Sequence, residues 1–217
     1  MTLGGLSSLV WGGTAWRAVS GALGSAADAI PQSLRDLVPT GGWRIYTVAD
    51  TMPSFDPRTW RLRVDGLVRR PQTLTYGELQ ALPRTREVAD FHCVTGWSVG
   101  HVHWAGIGFP ELLAATEPLP EARAVVFWSA EHPYVDSLTL EQAMSDAMLA
   151  TEMDGKPLPR PHGAPARVVI PAMYGYKSVK WVERIELVAR QPRGYWEQRG
   201  YDQDAWVGKS NGRNGFF

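Results

Sequence analysis

The sequence predicts a mixed domain of short strands and short, capped helices, preceded by an apolar arm. Trp60-Arg61-Leu62-Arg63-Val64 alternates apolar and basic residues with the period of a half-buried strand. Thr75-Tyr76-Gly77-Glu78 and Thr139-Leu140-Glu141-Gln142 are capping boxes, each placing a hydroxyl and a Glu or Gln where a helix begins. Ala124-Val125-Val126-Phe127-Trp128 is a continuous apolar run that suits a buried strand. At 44% hydrophobic residues with ten tryptophans, the chain can bury a substantial core. Lys+Arg and Asp+Glu balance at 22 each, which argues against the broad basic footprint of a nucleic-acid binder.

Taken in order, residues 1–42 form a Gly- and Ala-rich arm and linker, closed by Pro39-Thr40-Gly41-Gly42. Its apolar run is short and diluted by glycine, below the roughly 20 residues of a spanning helix. It carries neither a basic secretory n-region nor a twin arginine. The main domain is expected over 43–217. Residues 43–56 read as extended, with Pro53 and Pro57 barring a helix. Asp65-Gly66 reads as the turn after the first strand. The helix opened by Thr75 is expected to stop near Pro83. A strand then runs into Cys93, followed by a Gly- and Trp-rich loop. Pro110 opens a second helix over 111–115. After Thr139, the positions Leu140, Ala143, Met144, Ala147 and Met148 keep helical spacing, with the methionines as core filler. Met153-Asp154-Gly155-Lys156 reads as a turn, and 168–170 and 185–188 as strands. The tail from Gly194 is aromatic without periodicity.

Cys93 is the one cysteine of the chain, so it cannot form an intrachain disulfide. It is an inert thiol, a nucleophile or a ligand for a soft group. His92, His101 and His103 lie close in sequence, and a Cys–His hydrolase is one reading of that stretch. Two later clusters, His162 with Arg167 and Lys177-Ser178 with Lys180, set cationic donors beside strand ends. Such a set suits a phosphate, with Arg as a bidentate fork and Lys as a point charge. Neither a Walker loop nor a dinucleotide fingerprint is present.

The order of motifs resembles a known family. Phe91-His-Cys-Val-Thr-Gly-Trp-Ser98 is followed by Trp104-x-Gly106 and Tyr134 before a capped helix. Then come Gly155-Lys-Pro-Leu-Pro159, His162-Gly-x-Pro-x-Arg167, Tyr174-Gly-x-Lys-Ser-x-Lys180-Trp and Trp196-x-x-x-Gly-Tyr201. From residue 43 to about 207 this resembles the molybdopterin domain of the sulfite oxidase family, in its haem-free bacterial branch with the methionine-sulfoxide reductase catalytic subunits.

The resemblance implies an α+β fold of the sulfite-oxidase type, with mixed β-sheets and short flanking helices. It implies one molybdenum on a single pyranopterin, with Cys93 as the thiolate on the metal. A soft, deprotonated sulfur suits such a metal. His162, Arg167, Lys177, Ser178 and Lys180 match positions that hold the pterin and its phosphate, and Arg44 and Tyr46 fall in the segment that touches it. Tyr201 matches a tyrosine lining the substrate pocket. Thr95 stands where sulfoxide reductases often carry a carboxylate, and the arginine that sulfite oxidisers place soon after the cysteine is missing up to Arg123. The expected reaction is oxygen-atom transfer to or from a small sulfoxide-like or sulfite-like substrate, with no haem in this chain. Electrons are expected to pass to or from a separate partner, such as a membrane cytochrome b docked through residues 1–40. The resemblance favours the outer face of the cytoplasmic membrane, with the cytoplasm as the alternative. A cofactor-free binding module of the same fold is the competing reading.

Overall fold

The computed structural model describes residues 42–210. The chain divides into two compact units, residues 1–46 and 47–217. Apart from Gly42, the arm expected over 1–42 lies outside the described residues, and so does any docking role for it.

Strands β1 (Arg61–Gly66) and β2 (Gln72–Thr75) lead into helix α1 (Tyr76–Ala81). The hairpin β3 (Thr85–Cys93) and β4 (Trp97–Gly108) precedes α2 (Phe109–Ala114). Next come β5 (Ala124–Ser129), β6 (Val135–Thr139), α3 (Leu140–Asp146), β7 (Met148–Met153) and β8 (Lys156–Pro157). The last strands are β9 (Arg167–Val169) and β10 (Val182–Val188), with single 3-10 turns at Arg160–His162 and Glu197–Arg199. One sheet runs β2-β1-β10-β5-β6 and is mixed, because β1 and β10 pair in parallel. The other runs β3-β4-β7-β8, with β9 also on β7. A shared core joins them: Leu62, Ile185 and Phe127 from the first sheet meet Ile107, Leu149 and Val168 from the second. Phe109 opens α2 against Phe127, ring centroids 5.3 Å apart and edge to face.

Local chemistry explains most elements. β1 buries Leu62 and Val64 and exposes Arg61 and Arg63, the alternation of a strand with one wet face. Both capping boxes form. Thr75 Oγ1 accepts from the Glu78 amide at 3.2 Å, and Glu78 accepts from the Thr75 amide at 2.8 Å. Thr139 Oγ1 accepts from the Gln142 amide at 3.1 Å, and Gln142 accepts from the Thr139 amide at 2.9 Å. The turn between β7 and β8 uses Asp154 and Gly155, both at positive φ (53° and 74°), which suits the twist of a two-residue hairpin.

Three expectations are corrected. β1 continues through Asp65-Gly66, whose backbones pair with Glu186 and Leu187, and the reversal follows it. The Gly- and Trp-rich stretch after Cys93 is strand β4, because its alternate residues pair along β3 and β7. Helix α3 ends at Asp146. Ala147 leaves it, and Met148 opens β7, pairing with Gly108 and Val169. Met148 is core, while Met144 is 41% exposed.

Candidate active site and cofactor cradle

The β3–β4 hairpin presents Cys93. Gly96, at φ 88°, closes the turn by donating its amide to the Cys93 carbonyl at 3.0 Å. Lower in the hairpin, Asp90 sits opposite two residues of β4, a bulge in which His101 adopts φ 56°. Asp90 Oδ1 accepts the His101 amide at 2.9 Å. The thiol of Cys93 is half-buried and unoxidised. It lies 3.1 Å from the hydroxyl of Thr95, and a thiolate there would accept from that hydroxyl. His92 Nδ1 lies 2.8 Å from Ser98 Oγ on the paired strand. Cys93 therefore pairs with Thr95 and not with a histidine, and His101 and His103 are exposed on β4.

Arg167 opens β9 and is 3% exposed. Its guanidinium lies 5.4 Å from the ring centroid of Phe91 and 5.3 Å from that of Trp104. It donates to the carbonyls of His162 at 3.1 Å and Ser178 at 3.4 Å. Its Nε has no hydrogen-bond partner among the described residues. Burial pulls its pKa down to about 10. Burial, then the charges of Arg167 and Lys180, pull His162 down to about 3. Lys180 falls to about 7, mainly through burial, with Glu131 opposing and Arg167 reinforcing the shift. Gly163, at φ 108°, lets the chain pass directly against Lys180, since a Cβ there would lie 2.8 Å from the Lys180 Cβ. The Lys180 ammonium sits 4.1 Å from the Trp181 ring centroid. His162, Arg167, Ser178 and Lys180 thus lie together around the buried Arg167 cation, with the His162 imidazole held neutral.

Lys177 is a correction. The sequence groups it with Lys180, but its ammonium donates to Asp136 Oδ1 and Glu197 Oε1, each at 2.6 Å. All three side chains are buried. Spacing along a loop does not fix where a side chain turns.

The loop carrying these residues docks on the cysteine strand. The Gly175 amide donates to the His92 carbonyl at 2.8 Å, and a Cβ on Gly175 would collide with the Phe91 ring. The tail lies against the same loop, since Tyr174 donates to the Ala205 carbonyl at 2.8 Å and Tyr176 Oη to that of Asp202 at 2.7 Å. Tyr201 packs edge-on to Tyr176, centroids 5.4 Å apart, and against Trp196 at 5.1 Å. Arg44 is exposed and Tyr46 is 48% exposed; both belong to the first unit. Sequence reasoning missed Asp136, Glu131 and Glu197. Their signal was a carboxylate placed inside or beside an apolar strand or aromatic run.

The donor set fits a molybdopterin. Among the described residues no group of three or more His, Cys, Asp or Glu could hold a metal ion. A metal at Cys93 would take one thiolate from the protein and its other ligands from elsewhere. Arg167 is paired with carbonyls rather than a carboxylate, so its buried charge suits an anionic group such as a phosphate.

The comparisons agree. The family model described as "Oxidoreductase molybdopterin binding domain" matches residues 49–196. The "Uncharacterized oxidoreductase YuiH" of Bacillus subtilis is 34% identical over 71% of this chain and 80% of its own length. A protein-methionine-sulfoxide reductase catalytic subunit of Gluconobacter oxydans is 32% identical over 73% of this chain and 56% of its own length. That of Campylobacter jejuni is 30% identical over 66% and 54%. The chain thus spans about half the length of these two reductase subunits. The crystal structure of sulfane dehydrogenase SoxCD from Paracoccus pantotrophus matches with a TM-score of 0.61 at 28% identity, covering 64% of this chain and 41% of that one. The fold is that of the sulfite oxidase type, and the chain belongs to the molybdopterin-binding oxidoreductase family.

Proposed function

We propose that this oxidoreductase reduces a sulfoxide of the methionine-sulfoxide type, with electrons supplied by a separate redox partner. The observation that carries the reading is the stacking of Arg167 on Phe91, two residues before Cys93. That contact supports a reading in which Arg167 would hold an anionic group near the strand end that bears Cys93. When bound, the molybdopterin supplies oxygen-atom transfer coupled to two electrons, so that sulfoxide, two electrons and two protons give thioether and water. Cys93 would hold the metal, and the Thr95 hydroxyl would steady its thiolate. His162, Arg167, Ser178 and Lys180 would hold the pterin and its phosphate. Tyr201, set by Tyr176 and Trp196, would offer its hydroxyl to the substrate oxygen. The names of the similar reductase subunits support the sulfoxide as substrate, and the words "catalytic subunit" support a separate partner. Residues 1–40 are our candidate for docking that partner, at the outer face of the cytoplasmic membrane.

The test is molybdenum and pterin content of protein from a molybdopterin-competent host, with turnover of methionine sulfoxide by a reduced dye, wild type beside Cys93→Ser. We expect near-stoichiometric metal and dye oxidation in the wild type, and loss of both in the variant. Folded, metal-free wild type beside a loaded control enzyme would overturn the reading. Loaded protein that oxidises sulfite but ignores sulfoxides would overturn the substrate. A thiol hydrolase is disfavoured because Cys93 is bonded to Thr95 and His92 to Ser98, so neither neighbour in sequence pairs with the other among the described residues.

A further inference from the structure

Lys177 and the carboxylates of Asp136 and Glu197 come from three separate segments. Asp136 lies on β6, Lys177 in the loop between β9 and β10, and Glu197 in the turn that precedes Tyr201. Both carboxylates lie within 2.6 Å of one Nζ, so their bonded oxygens are at most about 5.2 Å apart, twice that distance. Gly194 lets them crowd: a Cβ there would meet Glu197 Oε2 at 2.5 Å and Asp136 Oδ1 at 2.7 Å. Asp136 Oδ2 and Glu197 Oε2 are both buried without a hydrogen-bond partner among the described residues. Tyr134 and Tyr176 feel the charge of both carboxylates, with Glu131 and Arg167 also acting on Tyr134 and Asp202 and Tyr201 on Tyr176, and the Ser137 amide donates to Asp136 Oδ1 at 2.6 Å. Tyr134 Oη donates to the Tyr176 carbonyl and Tyr176 Oη to that of Asp202, so neither hydroxyl serves the free oxygens.

A lysine with two ionised carboxylates would leave one uncompensated negative charge in a dry site, a costly arrangement. One proton on the carboxylate pair makes the cluster neutral and supplies a donor. We propose that Lys177, Asp136 and Glu197 are a charge-neutral positioning triad: the carboxylates share one proton, and the ammonium clamps the cofactor loop to the Tyr201 segment. The loop spans Ser178 and Lys180, and Glu197 stands four residues before Tyr201. The clamp therefore sets two sides of the proposed site relative to each other, and in this it rests on the function proposed above. The direction of two pKa shifts agrees. Burial, reinforced by Glu197 against the pull of Lys177, raises Asp136 to about 7. Lys177 stays an ammonium because the carboxylates outweigh its burial.

Two measurements on the full chain test the triad without requiring turnover. The first is infrared spectroscopy at neutral pH, where a protonated carboxyl gives a C=O band apart from carboxylates. We expect such a band in the wild type, lost or shifted in both Asp136→Asn and Glu197→Gln. A band unchanged in both variants, or absent from the wild type, would overturn the shared proton. The second is hydrogen exchange by mass spectrometry. Glu197→Ala should raise exchange in peptides covering 174–181 and 197–201 together, by about tenfold or more, and leave β1 and β5 unchanged. Glu197→Gln should largely restore both. Faster exchange in 197–201 alone would overturn the clamp. Lys177→Met is a harsher version, and Glu197→Gln keeps the test open where that variant fails to fold. Molybdenum content, read on the same samples, separates the two ideas. Metal-free wild type with coupled exchange would sink the proposed function and leave the clamp standing. Loaded wild type with uncoupled exchange would do the reverse.

Discussion

Arg167 and Phe91 meet face to cation, with the guanidinium carbon 5.4 Å from the ring centroid, which links the first residue of β9 to the last stretch of β3 before Cys93. Phe91 thereby does two jobs. One surface of it supports the buried cation, and Gly175 packs against the same ring. Phe91 thus touches both the loop and the Arg167 cation, which Trp104 flanks as well at 5.3 Å.

Replacing Arg167 separates charge from packing. Arg167→Met keeps the stem volume and removes a buried cation that has no carboxylate partner among the described residues, so the cofactor-free protein should lose little stability. Cofactor affinity should fall by about 2 kcal/mol or more, roughly 30-fold, the cost of deleting one partner of a buried charged pair. Melting temperature of apoprotein and pterin retention on gel filtration check the two halves.

Cys93→Ser should leave the fold intact, because the side chain is half-buried and, among the described residues, bonded to Thr95 alone. The expected stability change is within about 1 kcal/mol. Metal content should fall or the metal's optical spectrum should change. Thr95→Val should keep the metal but move that spectrum, since it removes the hydroxyl 3.1 Å from the sulfur.

Gly175→Ala should place a methyl group into the Phe91 ring. Overpacking of this kind costs about 1–3 kcal/mol. Thermal melting should fall accordingly, and pterin retention should fall with it because the loop also bears Ser178 and Lys180. Gly155→Ala meets no neighbouring atom and serves as the comparison, its own cost coming from positive φ.

Acid and base should act in definite directions. His162 is held down at about 3 in the folded protein against an ordinary 6.5. The unfolded chain then binds more protons, so apoprotein stability should fall as pH drops from 6.5 towards 3 and be restored above 6.5. Lys180, held down at about 7 against 10.5, should make the apoprotein gain stability as pH rises from 7 to 10.5. A bound anion favours the charged Lys180, so cofactor binding should take up a proton above pH 7. Affinity should weaken by up to about tenfold per pH unit there. Denaturant melts and pterin release against pH measure both, and Lys180→Met should flatten the release profile.

The elements that announced themselves in the sequence are those fixed by local chemistry. Thr75 with Glu78 and Thr139 with Gln142 cap helices where their spacing places them, because each bond closes within one turn. Met148 deceived because its helical spacing from Leu140 continues an amphipathic pattern, while its pairing with Gly108 and Val169 depends on strands elsewhere in the chain. β4 hid because its glycines read as loop, although Gly106 is needed where the backbone of β7 approaches. In the site, the sequence sets His162 beside Arg167, and the structure has Arg167 donate to the His162 carbonyl while burial keeps the imidazole neutral. Lys177 and Lys180 stand three residues apart in one loop, yet the first is held by Asp136 and Glu197 and the second faces the Trp181 ring. Only the tertiary neighbours distinguish them.

The parallel pairing of Val64 with Ile185 has a consequence for how the molecule is made. β10 is the central strand of its sheet, flanked by β1 and β5, which are both synthesised well before it. Until β10 emerges, both neighbours present open edges and that sheet has no middle. The loop bearing Ser178 and Lys180 is translated just ahead of β10, so cradle and sheet close in the same late event. A nascent chain therefore passes through a long interval with exposed strand edges, the stage at which it is most open to wrong pairing.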